Sequence, residues 1–255
     1  MGYADLHIHS TYSPDSATTV RAILKQAADA GLDVIAVTDH DDIQGSLEAR
    51  DLAPQFGIES IPGVEVSTGE GHLIALFIES LPPAGMSLIE TLIFVGKHGG
   101  VAIIPHPFTS LPGSLSMDSV LKALAHPIAK GVLKGIETHN LGTLAFNGTA
   151  QKLSVYLPLA RIGSSDSHVY WTIGDARTEF AGRTARDLRE ALNRNATVPI
   201  LNEENFTPRI ILSWFRYMLL RRFGYASDTH SAAQPINTQR MTRSFIMKAM
   251  KVKRK

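Results

Sequence analysis

The sequence predicts a parallel-rich α/β fold, with seven strand candidates that suit a barrel better than an open sheet. Three observations carry that expectation. Short Val/Ile-rich runs alternate with stretches of helical length, the pattern of strands covered on both faces. The chain has 255 residues, 44% of them hydrophobic, enough for one barrel-sized domain with a full core. Nearly every strand candidate also ends in His, Asp or Glu, and in parallel β/α folds those ends form one rim where sites are built.

The elements follow in order. YADLHIH (3–9) reads as the first strand, and Thr18 or Thr19 caps a helix over 20–30 that Gly31 ends. DVIAVTDH (33–40) is an apolar strand with a polar end, and a helix over 43–56 stops near Gly57. IESIPGVEVS (58–67) and HLIALFI (72–78) are strand-like. A helix over 87–98 terminates at Gly99-Gly100, and VAIIPHP (101–107) is a strand cut off by proline. Helices are expected over 117–125, 150–158 and 184–195, and strands at GIETHN (135–140) and ARIGSSDSH (160–168). The body is expected to end near Pro208, followed by a helix over 210–223 and a polar, basic tail. This gives two regions, 1–208 and 209–255.

Composition narrows the chemistry. There is no cysteine, which excludes a disulfide framework, a thiolate metal site and a Cys nucleophile. Any metal must be held by imidazole and carboxylate. The opening MGYADLHIHS has no basic and apolar leader pattern, and no apolar run reaches spanning length, so the expected location is cytoplasmic. The net charge of +1 conceals an asymmetry: residues 209–255 hold 11 Lys/Arg against Asp228 alone. The tail therefore carries about +10 and the body about −9.

The ligand-type residues are His7 and His9, His40, Glu65, His106, and Asp166 with His168. The spacings His7-x-His9 and Asp166-x-His168 each put two side chains on one side of a strand. His72 precedes its strand and has to return towards Glu65 through the turn over 67–71. His98, His126 and His230 are read as surface or core residues, and Asp41 and Asp42 as helix-capping carboxylates.

DLHIHS (5–10), TDHD (38–41), PGVEVS (62–67), PHP (105–107) and GSSDSH (163–168) resemble, in order, the motifs of the polymerase-and-histidinol-phosphatase (PHP) superfamily. The resemblance covers about residues 3–180 and implies a distorted seven-stranded (β/α) barrel, TIM-like, holding up to three divalent ions of zinc, manganese or iron. It implies that His7, His9, Glu65 and Asp166 hold the first ion, and that Glu65 bridges to a second completed by His72 and His106. Asp15, His40 and His168 would hold the third, although the SPDS segment bearing Asp15 is one residue longer than the family's usual form. The catalytic work would fall to Glu65, His40, Asp166 and His168. Asp5 and Asp39 are expected to orient ligating imidazoles. His139, a departure from the family pattern, is a candidate substrate contact with Arg177; Arg161 and Arg183 are further candidates.

The resemblance implies hydrolysis of a phosphomonoester or phosphodiester by a hydroxide bridging two ions. The substrate would be a small phosphorylated metabolite, a nucleotide or a short oligonucleotide. The short stretch 79–100 leaves little room for the helical insertion of some family members, so the pocket is expected to be open. Two alternatives stand beside this: a non-catalytic, metal-stabilised binding module, and an amide hydrolase on a similar barrel. The basic tail, with an apolar stripe of Ile210, Ile211, Trp214, Phe215, Met218 and Leu219, is read either as a closing helix or as a contact for an anionic surface.

Overall fold

A computed structural model describes residues 1–202 together with Leu212, Phe215 and Leu219. The expected helix over 210–223, apart from those three residues, and the basic tail lie outside the described residues. Of the expected apolar stripe, Phe215 and Leu219 are 55% and 42% exposed.

Two five-stranded sheets form the body, in the orders β10-β9-β1-β2-β3 and β4-β5-β6-β7-β8. The first holds β1 (Gly2–Ile8), β2 (Val34–Val37), β3 (Glu59–Ser60), β9 (Ala176–Phe180) and β10 (Thr197–Leu201). The second holds β4 (Gly63–Ser67), β5 (His72–Leu76), β6 (Val101–Ile104), β7 (Leu133–Asn140) and β8 (Ala160–Ser164). Pairs β1/β2, β2/β3, β6/β7 and β7/β8 are parallel; β1/β9, β9/β10, β4/β5 and β5/β6 are antiparallel.

The expected α/β fold is present, and it differs from a parallel-rich closed barrel in two respects. The sheets are mixed, and among the described residues no continuous ladder closes them. Their edges meet at two isolated bridges, Ile8↔Ser167 and His40↔Glu65. The expected strand over 58–67 is two strands, because Pro62, which lacks an N–H, interrupts the ladder between β3 and β4. Strands β9 and β10 were not expected. β9 reads ARTEF and β10 carries Pro199, which charge and proline disguise; proline is tolerated because β10 is an edge strand.

The helices α1 (Val20–Asp29), α2 (Gln44–Leu52), α3 (Leu88–Lys97), α4 (Met117–Ala125), α5 (Ala129–Val132), α6 (Asn147–Ser154) and α7 (Ala185–Asn193) lie between strands. Their starts follow the capping residues. Thr19 accepts from the Ala22 N–H, while Ser87 with Glu90 and Thr184 with Asp187 form capping boxes. Among the described residues no helix is long and apolar enough to cross a membrane.

Three buried clusters hold these layers. Leu6, Val34, Ala36, Ile74, Ile103, Ile162 and Phe180 come from both sheets and fill the space between them. Leu92, Val95, Ile104 and Val120 join α3 and α4 to the second sheet, while Ile8, Ile23, Leu24 and Ile35 join α1 to the first. Each fully buried aliphatic side chain contributes roughly 1.5–3 kcal/mol. The centre is therefore rigid, and what it holds at one end is fixed in place.

Candidate metal centre

The ligand-type residues converge on that end. His7 lies in the last part of β1 and His9 just beyond it; His40 follows β2, His106 follows β6, and Asp166 and His168 follow β8. Glu65 sits within β4. The β4–β5 hairpin pairs Ser67 with His72, which returns His72 to Glu65 as its position required. Gly113, at φ +82°, approaches the His72 ring so closely that a Cβ there would collide with it. Only glycine fits that place without strain.

Glu65 is the hub. Its Oε2 lies 3.1 Å from His7 Nε2, 3.3 Å from His9 Nε2 and 3.2 Å from His40 Nδ1. Its Oε1 lies 3.0 Å from His72 Nδ1 and 3.1 Å from His106 Nε2. Asp166 Oδ1 lies 3.4 Å from both His7 Nε2 and His9 Nε2. Outside this, Asp15 Oδ2 lies 3.1 Å from His168 Nε2 and 3.4 Å from His40 Nε2. The extra residue in SPDS therefore still delivers Asp15 to the cluster. Four sets of these residues are close enough for one cation each: His9, Asp15, His40 and His168; His7, His9 and Asp166; His7, Glu65 and His106; His40, Glu65 and His72.

The same backbone sews the sheets together. His9 N–H donates to Ser167 O and Ser167 N–H to His7 O; Glu65 N–H donates to Asp39 O and Asp41 N–H to Glu65 O. Two ligand positions are also strained, His106 at φ +27° and Asp166 at φ +51°. Such backbone persists where the surroundings over-determine it, typically at a functional site.

The donor chemistry fits divalent cations. Two buried imidazole nitrogens, Nε2 of His7 and of His9, face each other at 3.0 Å, and His9 Nδ1 is buried without a hydrogen-bond partner. Burial disfavours a charged His7 ring, yet Asp166, Glu65 and Glu137 push it well above the usual imidazole range. Burial likewise opposes a charged His168, but Asp15 and Asp166 push it up to about 9. Against the cost of burial, His7 and the neighbouring rings hold Glu65 and Asp166 well below the carboxylate range. His9 drops to about 4, through burial and then the nearby His168. These carboxylates require positive charge beside them, and divalent ions supply it while leaving the imidazoles neutral.

The residues expected to orient rings or contact substrate have these partners. Asp5 receives N–H groups from Ser165 and Gly174, and Asp39 receives the N–H and hydroxyl of Ser10. They tie loops together rather than orienting rings, and burial pushes them up to about 6 and about 7. The residue that does hold a ligand ring is Glu137, whose Oε1 lies 3.0 Å from His7 Nδ1; it stands in a strand singled out for His139 instead. His139 itself contacts Thr138 and Gln151. Arg177 covers the Tyr3 ring at 4.6 Å and Arg183 approaches Asp33, while Arg161 is near the start of β8. The structure thus brings the nine expected ligands together, while Arg177 stacks on Tyr3 and Arg183 approaches Asp33 instead of a ligand.

Comparison with known proteins gives the family. The family model described as the PHP domain matches residues 5–122, and the PHP-associated model matches 145–197. An uncharacterized protein of Methanocaldococcus jannaschii is 39% identical over 147 residues, 54% of this chain and 81% of that one. The phosphoribosyl 1,2-cyclic phosphate 1,2-diphosphodiesterase of Eggerthella lenta is 37% identical over 86 residues, 31% of this chain and 32% of its own length. Among solved structures, a two-domain protein from Bacteroides vulgatus containing a predicted PHP-like metal-dependent phosphoesterase superposes with a TM-score of 0.66 at 20% identity, covering 85% of this chain and 69% of that one. An amidohydrolase from Chromobacterium violaceum, with bound sulfate, superposes with a TM-score of 0.56 at 18% identity, covering 76% and 97%. Two adjoining models in the order of the sequence motifs, and a relative matched over four-fifths of its length, place the chain: it belongs to the PHP superfamily.

Proposed function

We propose that the chain is a metal-dependent phosphoesterase acting on a small phosphorylated metabolite, a nucleotide or a short oligonucleotide. The observation that carries this is the convergence of nine His, Asp and Glu side chains, five of the imidazoles directly on Glu65. His7, His9, Glu65 and Asp166 would hold one ion, Glu65, His72 and His106 a second, and Asp15, His40 and His168 a third. When bound, the ions supply Lewis acidity and lower the pKa of water towards neutrality. Glu65 turns Oε2 towards His7, His9 and His40 and Oε1 towards His72 and His106, so one carboxylate would serve both deep sets of residues. Three carboxylates among nine ligands leave the loaded site positive, a receptor for an anion that presents several oxygens. Asp15, His40 and His168 stand at the solvent side, where the phosphate would arrive.

The name of the E. lenta relative, a cyclic-phosphate diphosphodiesterase, supports the diester side of the proposal. The name of the C. violaceum amidohydrolase favours a second reading, amide hydrolysis by the same centre. A substrate panel on metal-analysed protein decides between them: p-nitrophenyl phosphate, its bis-ester, nucleoside bisphosphates, short RNA and N-acyl amides. Turnover of phosphoesters with manganese or zinc is expected; turnover of amides alone would replace the proposal.

The two bridges at the metal end support reading the central strands as a distorted seven-stranded barrel. The basic segment 209–255 is proposed as a contact for an anionic surface. Truncation at Arg240 should leave small-substrate turnover intact while weakening binding to RNA or anionic vesicles.

A further inference from the structure

Glu137 is 1% exposed and lies deep behind the cluster. Its neighbours are all donors or potential donors. Oε1 faces His7 Nδ1 at 3.0 Å. Oε2 accepts the backbone N–H of His106 at 2.8 Å and the side-chain amide of Asn140 at 2.7 Å. The same amide nitrogen of Asn140 reaches Asp166 Oδ2 at 3.2 Å. The orientation of that amide is fixed, because Asn140 Oδ1 accepts the Thr143 N–H at 2.8 Å and the Thr143 hydroxyl at 3.1 Å. One carboxylate therefore touches a ligand ring, a ligand backbone and, through one amide, a ligand carboxylate.

The strand is built to allow this. Residues 137 and 140 are three apart and belong on opposite faces of a regular strand. In β7, Glu137 pairs with Ile162 and His139 with Gly163, so two steps along β7 match one along β8. That bulge at Thr138 brings Asn140 round to the face of Glu137. The two positions it secures, His106 and Asp166, are the ligand residues with positive φ.

We propose that Glu137, with Asn140, is the positioning unit of the deep metal pair. It fixes His7 in the tautomer with the proton on Nδ1, leaving the Nε2 lone pair for a cation, and it holds His106 and Asp166 in their strained conformations. This rests on the metal reading above. Glutamine cannot replace it: one amide oxygen cannot serve both sides. Its NH2 would face either His7 Nδ1–H or the two donors His106 N–H and Asn140 Nδ2. In the first case His7 is driven to the other tautomer, with Nε2 blocked.

The test is zinc affinity, measured by competition with a chromophoric chelator, on wild type, Glu137→Gln and Asn140→Ala. Imidazole 15N spectra of the metal-free proteins, recorded at a pH high enough for the His7 ring to be neutral and with the His7 signal identified by its loss in His7→Ala, read the tautomer. Glu137→Gln should bind its tightest zinc 10–100-fold more weakly, as removal of outer partners of ligands does, and should lose the Nδ1–H signature of His7. A folded Glu137→Gln protein with wild-type zinc affinity and an unchanged His7 tautomer overturns the proposal. If that variant does not fold, Asn140→Ala decides: a several-fold loss of affinity supports the unit, and wild-type affinity overturns it. Wild type that itself binds no zinc, manganese or iron would sink the metal reading instead.

Discussion

The deep and outer halves of the cluster use the same residue types in different settings. In the deep half the side chains of His7, His9 and Glu65 are 0–1% exposed and those of Asp166 and His106 10% and 12%, with His72 at its rim at 25%, whereas those of Asp15, His40 and His168 are 22–29% exposed. The deep residues are also part of the seam between the sheets, through His7 O, His9 N and the backbone of Glu65. Asp15 stands on the loop between β1 and α1, and its carboxylate takes the Ser13 hydroxyl as well as the two rings. The difference teaches that ligand count alone does not rank these residues. Removing a deep ligand disturbs a dry, paired set and leaves its partners as uncompensated buried charges; removing an outer one opens a position that water can enter.

The largest effect that follows is on Asp166→Ala and Glu65→Ala. Asp166→Ala should lose the first ion and Glu65→Ala both deep ions, each lowering phosphoester turnover by at least about a thousandfold, as removal of a catalytic metal does. Elemental analysis beside p-nitrophenyl phosphate turnover checks this. Full metal content in folded Asp166→Ala would break the distinction at its strongest point.

Asp15→Asn should cost less, about 10–100-fold in turnover, while the deep ions remain at wild-type occupancy. The estimate takes the outer group as supporting the deep pair, in the range seen for partners of metal ligands. If deep occupancy falls in parallel, the two halves act as one unit and the exposure difference carries no functional meaning.

Stability sharpens the comparison further. A ligand held at a hundred times its Kd adds about 2.7 kcal/mol to the native state. For a domain of this size each kcal/mol moves the melting midpoint by about 2–4 °C. Chelation should therefore lower the midpoint of wild type by roughly 5–10 °C, because the cation-binding residues are those that join the sheets. Asp15→Asn should retain most of the metal-dependent increment. A chelated wild type that melts unchanged would separate the seam from the metals.

How much of this was legible in the sequence follows from the same physics. Most of the candidate ligands were readable because they stand at or near the end of an apolar run, where isolated polar residues stand out; Glu65 interrupts a strand between Val64 and Val66, and Asp15, in SPDS, was reached only through the family resemblance. The helix starts were readable from Thr19, Ser87 and Thr184, whose side chains cap them. Glu137 was hidden because face assignment by alternation fails across a bulge, and no local residue announces the one at Thr138. The departure from the family pattern drew attention to His139, whose ring meets Gln151. The pairing of β9 and β10 was hidden because charge breaks up ARTEF and proline breaks up TVPIL, and the other partner of β9 lies far off in the chain, as in Gly2↔Phe180.

The smallest effect concerns two histidines that composition cannot tell apart. His72 has a side chain 25% exposed, with Nδ1 3.0 Å from Glu65 Oε1. Its ring is backed by Gly113, whose carbonyl also accepts the His72 N–H at 2.7 Å. His139 is also partly exposed, but its ring nitrogens meet Thr138 and Gln151. Burial, with the Arg161 charge as a lesser cause, lowers its pKa. His72→Ala removes one of two imidazoles on Glu65 Oε1 and leaves His106 in place, so the second ion should bind more weakly without being lost outright. His139→Ala should leave metal content and turnover within experimental error of wild type. Metal titration monitored by elemental analysis at limiting manganese separates the two. Equal occupancy in wild type and His72→Ala would remove His72 from the ligand set and shift its role to supporting the loop at Gly113. A loss in His139→Ala as large as in His72→Ala would mean that β7 transmits changes from its outer face through the bulge to Glu137, so that the deep half reaches further into the fold than its contacts do.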